Sequence, residues 1–371
     1  MYRFEDMDER YHRQVILKNF GSAGQQKLLQ AKVLVVGAGG LGCAALPYLV
    51  AAGVGTVGIV DDDVVSLNNL HRQTLYATAD IGLPKVFRAK QKLQALNPGV
   101  QIQAYHERLT VHNALSIIEG YDIVIDGTDN FASRYMINDA CVVLNKPLVY
   151  AAVSQFEGQV ALFNVPVNGG CNYRDIFPQP PAEDEVQNCA EAGVLGVLPG
   201  IIGTMQAAEV IKWLTGIGST LAGRLLTYNA LQQSLFEIHV SPNDTGRMLM
   251  PADATAFMAT KYEQLCGTVP DGIEIDSRRF NRRLQESNTI VIDVREFHEV
   301  PLVQQFKNIK VPLPQLRDKL DTINAGTILL FCQSGKRSAQ AAKVLTEVFG
   351  ANKKVYSLKG GIVQWLKENQ Q

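Results

Sequence analysis

Cysteine is scarce in this chain and irregularly placed. Its six cysteines, Cys43, Cys141, Cys171, Cys189, Cys266 and Cys332, form no C-x-x-C pair, and no H-E-x-x-H occurs. A disulfide framework or a metal centre built on those spacings is therefore excluded. Long apolar runs are missing as well. The longest, residues 194–202, is broken by Gly196, Pro199 and Gly200 and falls short of the roughly 18 residues a membrane span takes. The opening MYRFEDMDERYHRQ is charged and lacks an apolar core, unlike a secretory signal. A cytoplasmic protein without a membrane partner is expected. Charge of one sign is also lacking: 35 Lys and Arg stand against 36 Asp and Glu, which removes any global pull toward nucleic acid or anionic lipid. No internal repeat or low-complexity tract is present.

What is there is an ordinary apolar content, 46% over 371 residues, enough for a domain of roughly 240 residues and another of roughly 100. Strand-like and helix-like patterns alternate through residues 32–37, 41–52, 56–60, 84–96, 100–105 and 121–126, which predicts βαβ units and a parallel, doubly wound sheet. Residues 148–153, 159–164, 225–229 and 235–240 read as further strands, antiparallel in arrangement, with an apolar helix near 201–214. Residues 166–191 read as a structureless stretch of the kind that carries function. Residues 241–269 have no periodicity and are taken as a linker between domains at 1–240 and 270–371. The second of these resumes the α/β alternation, with strands at 289–294, 327–331 and 354–358 and helices near 276–286, at 336–349 and from Gly361.

Chemistry concentrates first around Gly37-Ala38-Gly39-Gly40-Leu41-Gly42, a G-x-G-x-x-G that follows a strand and opens a helix. Gly37 permits the tight turn, Gly39 lets backbone approach a phosphate, and Gly42 allows close packing of helix on strand. Asp61, 19 residues beyond Gly42 at the end of the next strand, is placed to accept ribose hydroxyls. These residues alone suit NAD as well as ATP. Asn69, Arg72 and Lys85 follow, and such a polar, cationic group suits a triphosphate whose α-phosphate gathers charge. Asp129, just past the strand at 121–126, is a candidate Mg²⁺ ligand, since hard cations prefer carboxylate oxygen.

The run VVGAGGLG…VDDDVVSLNNLHRQ…GLPK…DGTDN…CAEAGVLGVLPGIIG resembles the MoeB/ThiF family of ubiquitin-like-protein-activating enzymes over about residues 8–240. The resemblance implies that ATP adenylates the C-terminal Gly-Gly carboxylate of a small ubiquitin-like sulfur-carrier protein. It implies that Asp61 binds ribose, that Asn69, Arg72 and Lys85 hold phosphates, and that Asp129 binds Mg²⁺. A homodimer is also implied, with Arg13 reaching the neighbouring subunit's ATP site. In relatives a cysteine at the place of Cys189 can join covalently to the carrier or its sulfur; here it stands open as either a reactive or a buried thiol. Many members hold a structural zinc with two C-x-x-C pairs. Here Asn172-Tyr173-Arg174-Asp175 stands at the first pair, with Cys171 out of register, and the second is missing from 238–250. No zinc is expected.

A second centre lies at Phe331-Cys332-Gln333-Ser334-Gly335-Lys336-Arg337-Ser338, where a cysteine ends a strand and precedes a helix. Loop N–H groups, the helix dipole, Lys336 and Arg337 favour a thiolate or persulfide anion there. The loop, with Asp293-Val294-Arg295-Glu296 and the closing Gly360-Gly361 and Trp365, resembles rhodanese over about residues 270–369. Residues 297–312 depart from that family, so the entrance to the site should differ. A phosphatase could use a similar oxyanion loop, with Arg337 five residues beyond Cys332, but a general-acid Asp loop is missing. The fold expected is α/β: a Rossmann-like doubly wound sheet extended by antiparallel strands, plus a small α/β rhodanese-like domain. The leading function is adenylation of the carrier followed by sulfur transfer from a Cys332 persulfide, charged by a donor such as a cysteine desulfurase. The product would be a thiocarboxylate serving molybdopterin, thiamine or tRNA thiolation. Tethering raises the sulfur donor's effective concentration. An NAD-dependent oxidoreductase and a non-catalytic scaffold for ubiquitin-like proteins are the alternatives.

Overall fold

Strands buried on both faces read as unbroken apolar runs, and KVLVV and IVID do so here. In the computed structural model they become β1 (Lys32–Val36) and β4 (Ile123–Asp126) at the centre of the larger sheet. The structure describes residues 4–166, 170–180, 193–262 and 273–369, and the chain divides into two units, Met1–Cys266 and Gly267–Gln371.

The first unit also contains β2 (Thr56–Val60), β3 (Gln101–Tyr105), β5 (Leu148–Ser154), β6 (Glu157–Phe163), β7 (Arg224–Asn229) and β8 (Ser234–His239). Their order is β3-β2-β1-β4-β5-β6-β7-β8. Pairing is parallel from β3 to β5 and antiparallel from β5 to β8, as expected from the sequence. The order in which strands are added reverses between the parallel neighbours β1 and β4, so a crevice opens at their carboxyl ends, where open α/β sheets place ligands. The helix Leu198–Thr215 is anchored beside that crevice by the buried Gln206, whose Nε2 donates to the Asp126 and Val149 carbonyls at 2.8 and 3.1 Å.

Two sequence expectations fail here. Residues 241–262, taken as linker, form the helices Asp244–Met248 and Ala254–Ala259 and are folded onto the first unit. Phe257 and Tyr262 are buried in its core. Helices of five and six residues are too short to show a period, so only the burial of single aromatics marks them. The stretch at 166–191 is not structureless throughout, because Tyr173–Ile176 is a short helix capped by Asn172, whose side chain accepts from the Arg174 N–H.

In the second unit β11 (Ile309–Lys310), β10 (Thr289–Asp293), β12 (Thr327–Phe331), β13 (Lys354–Leu358) and β9 (Glu274–Ile275) form a parallel sheet in that order. All five residues of β12 are buried, and its carboxyl end delivers Cys332.

Candidate active sites

The glycine turn after β1 is tight because no side chain fits within it. Gly37 has φ +95°, and a Cβ at Gly42 would lie 2.0 Å from the Gly37 carbonyl oxygen. Asp61 braces the turn from the end of β2: its Oδ2 accepts the Ala38 N–H at 2.7 Å and its Oδ1 the Asp63 N–H at 2.8 Å. Burial raises its pKa, opposed by the charge of Lys85. Tyr76 donates to the Ala38 carbonyl from the other side, at 3.0 Å.

Arg72 borders the helix that this turn opens, its Cγ 3.6 Å from where a Gly40 Cβ would stand. Its guanidinium donates to the Asn68 carbonyl and to Asn69 Oδ1, and Asn69 donates to Ser66 Oγ. Asn69 and Arg72 are thus one hydrogen-bonded unit. Lys85 begins the helix Lys85–Leu96 and is 3% exposed, yet its ammonium reaches the exposed Asp63 at 2.8 Å. A buried stem with a charged tip at an acid suits a cation that can be handed to phosphate.

Asp129 is exposed in the loop after β4. That loop abuts the glycine turn, since a Gly37 Cβ would stand 2.8 Å from the Gly127 carbonyl oxygen. A single carboxylate facing phosphates is how Mg²⁺ is commonly held, so the residues present fit that ion. Among the described residues no cluster of three or more His, Cys, Asp or Glu forms a metal cage.

Arg13 is not brought to this crevice within its own chain. It is exposed on the helix Phe4–Val15, which docks elsewhere through Gln14 Nε2 on the Ala52 carbonyl and Tyr11 on Asn97. Cys189 lies outside the described residues. Cys43, Cys141 and Cys171 are buried free thiols whose pKa values burial raises, that of Cys43 to about 12.

Asp80 is a site residue that sequence reasoning missed. Its buried carboxylate holds Arg88 at 2.7 Å and Lys92 at 2.6 Å, both on the Lys85 helix, and accepts the Ala77 N–H at 2.8 Å. Burial pushes its pKa up, but bonds from Lys92, Ala77 and Arg88 prevail and hold it at about 2. The loop before Lys85 and the helix after it are thereby fixed together.

At the position where the family resemblance would place thiolates for zinc, the donor set is wrong for the metal. Arg174 grips Asp139 with two bonds of 2.8 Å, Nε to Oδ1 and Nη2 to Oδ2, and Tyr262 donates to the same carboxylate at 2.9 Å. Asp175 Oδ2 accepts the Asn172 N–H, and Oδ1 accepts from the Asn243 N–H and Arg247. Guanidinium groups occupy these carboxylates, and among the described residues no tetrahedron of thiolates is formed. The network joins the segment near 172 to the one near 243, as a shared ion would.

In the second unit Cys332 is buried, and its Sγ accepts the Gly335 N–H at 3.2 Å and the Ser338 hydroxyl at 3.6 Å. Ser357, on the neighbouring β13, donates to Ser338 Oγ at 2.9 Å. The Gly-Gly motif is explained by close approach: Gly361 has φ +65°, and a Cβ there would lie 2.5 Å from both the Gln333 oxygen and the Gly335 nitrogen. The Ile362 N–H then binds the Cys332 carbonyl at 2.8 Å. Arg295 is fully buried, bonds twice to Asp293 and reaches Gln333 Oε1 at 3.2 Å. The loop therefore directs fixed donors at one sulfur, which stabilises an anionic thiolate or persulfide.

Residues 11–248 match the ThiF family and residues 277–368 the rhodanese-like domain. The chain is 52% identical over 268 residues to the sulfur carrier protein adenylyltransferase of Thermus thermophilus, covering 71% of this chain and 97% of that one. It is 39% identical over 381 residues to the probable adenylyltransferase/sulfurtransferase MoeZ of Mycobacterium tuberculosis, covering 97% and 93%. Among solved structures, E. coli MccB with ATP shares the fold at TM-score 0.57 and 20% identity, over 65% of this chain and 74% of that one.

Proposed function

Because the chain belongs to the ThiF family and carries a rhodanese-like domain, and is thus an adenylyltransferase joined to a sulfurtransferase, we propose that it activates the C-terminal glycine of a small ubiquitin-like sulfur-carrier protein and sulfurates it from Cys332. The observation that carries this reading is the grouping of Asp61, the Asn69–Arg72 unit and Lys85 around one glycine turn. ATP is the nucleotide. Asp61 takes the ribose, and Arg72 and Lys85 neutralise the phosphates as the carrier carboxylate attacks the α-phosphorus and pyrophosphate leaves with the electron pair. Mg²⁺ held by Asp129 would offset phosphate charge. Arg13 serves the second subunit of a homodimer.

The terminal sulfur of a Cys332 persulfide then attacks the acyl carbon and AMP departs. The resulting acyl disulfide is opened by a thiol that attacks the Cys332 sulfur, releasing the thiocarboxylate and leaving a disulfide at Cys332 for a second cellular thiol to reduce. A cysteine desulfurase is the proposed source of the persulfide. The exposed Leu235, Phe236 and Ile238 on the edge strand β8 offer the carrier apolar contacts and free backbone groups.

ATP–pyrophosphate exchange tests this directly. Exchange should require a carrier ending in Gly-Gly and stop when its last glycine is removed. Cys332→Ala should leave exchange intact and abolish thiocarboxylate formation. Exchange that ignores the carrier, or none with any such carrier, would refute the reading.

A further inference from the structure

The active loop of the second unit contains a cation whose charge is already answered. Arg337, five residues beyond Cys332, makes a two-pronged ion pair with Glu299, Nη1 to Oε1 at 2.5 Å and Nη2 to Oε2 at 2.6 Å. The two side chains are 22% and 20% exposed, so the pair is partly shielded from solvent. Glu299 is itself held, since its Oε1 accepts the Glu296 N–H at 2.8 Å. The bonds from Arg337 keep its carboxyl ionised down to about pH 2. Glu299 lies in the stretch at 297–312 whose sequence departs from the rhodanese pattern.

The other cations nearby differ in this respect. Arg295 is neutralised by Asp293, and the Lys310 ammonium donates to the Phe297 carbonyl. Lys336 is exposed at the start of the helix Lys336–Phe349. Of the cationic side chains in the loop itself, Lys336 and Arg337, the second is thus cancelled by an acid from outside the loop. A small sulfur donor such as thiosulfate arrives with two negative charges. The Cys332 thiolate attacks its outer sulfur, the S–S bond breaks, and sulfite leaves with the electron pair and both charges. That reaction gains from every uncompensated cation at the loop. Attack on the terminal sulfur of a persulfide, which expels a singly charged thiolate, gains much less.

We propose that Glu299 sets donor specificity at Cys332: by neutralising Arg337 it disfavours dianionic sulfane donors and leaves the site to persulfides of thiols. The inference rests on Cys332 as the sulfur acceptor. Glu299 is a specificity-determining residue that takes no part in the bond exchange.

The full-length protein, its Glu299→Gln variant, its Arg337→Gln variant and the double variant would be compared with two donors. These are thiosulfate, with cyanide as acceptor, and the persulfide of 2-mercaptoethanol. Glu299→Gln should lower the KM for thiosulfate about fivefold to tenfold, equivalent to about 1 kcal/mol, and change the rate with the neutral thiol's persulfide less than about twofold. The double variant should lose the gain. Arg337→Gln alone should raise the thiosulfate KM about fivefold to tenfold, because it leaves the Glu299 carboxylate uncompensated beside the loop; this arm stands even if Glu299→Gln does not fold. An unchanged thiosulfate KM in folded Glu299→Gln or in folded Arg337→Gln would overturn the proposal. Transfer retained by Cys332→Ala would instead overturn the reading on which it rests.

Discussion

Replacing Arg174 by Met tests whether a network of ions holds the segment near 172 to the one near 243. Asp139 is fully buried, and Arg174 is its only cationic partner within bonding distance among the described residues. Without the guanidinium, the carboxylate retains Tyr262 and the Asn138 amide as donors but no opposite charge. Removing one partner of such a pair costs about 3–5 kcal/mol, because the other charge is stranded away from water. With a urea slope of about 3 kcal/mol/M, the midpoint should fall by about 1–1.7 M. Two tryptophans make the assay specific: Trp213 packs on the first unit's core and Trp365 lies in the second. In a Trp365→Phe background, fluorescence then reports the first unit. Adding Asp139→Asn to Arg174→Met should recover part of the loss, since the stranded charge is gone. A midpoint shift under about 0.3 M, a double variant as unstable as the sum of the singles, or recovery on adding zinc would refute the reasoning. So would a full equivalent of zinc in the purified protein.

Other tests address the remaining groups. The depressed pKa of Asp80, 3.8 falling to about 2, contributes about 2 kcal/mol that is complete above the unfolded value near pH 4 and lost as pH falls toward 2. Asp80→Asn should therefore destabilise the first unit by a constant amount at pH 5–7, measured by urea midpoints, with the gap to the native chain closing below about pH 4. Lys85→Met should lower carrier-stimulated ATP–pyrophosphate exchange about 100-fold, with carrier binding by calorimetry little changed. Ser357→Ala should slow sulfur transfer about fivefold, because the Ser338 hydroxyl, which bonds the Cys332 sulfur and the Gly335 carbonyl, loses the donor that fixes it; Ser357→Thr should restore the rate.

Much of both sites was legible in the residues alone because their determinants are local. Gly37 and Gly42 read correctly since a turn at positive φ, and a helix packed on the strand before it, admit no side chain. The placement of Cys332 between a strand and a helix was legible because strand, loop and helix follow one another within a few residues. The antiparallel strands after Pro147 were visible from their alternation. The linker at 241–269 was misread because Phe257 and Tyr262 are anchored by Asp139 and its neighbours, more than a hundred residues earlier.

The order of apolar runs, the glycine turns and the residues that follow each strand thus determined the two α/β units and the chemistry each can host. Only the tertiary structure decided how charges are spent. It paired Asp80 with Arg88 and Lys92, Asp139 with Arg174, and Glu299 with Arg337. The reason is physical: a carboxylate's partner is chosen by distance and by exclusion of water, and neither is set by position along the chain. Ser357 shows the same limit, since parallel pairing of β12 with β13 brings that strand beside the cysteine loop, and no spacing in the sequence announces it.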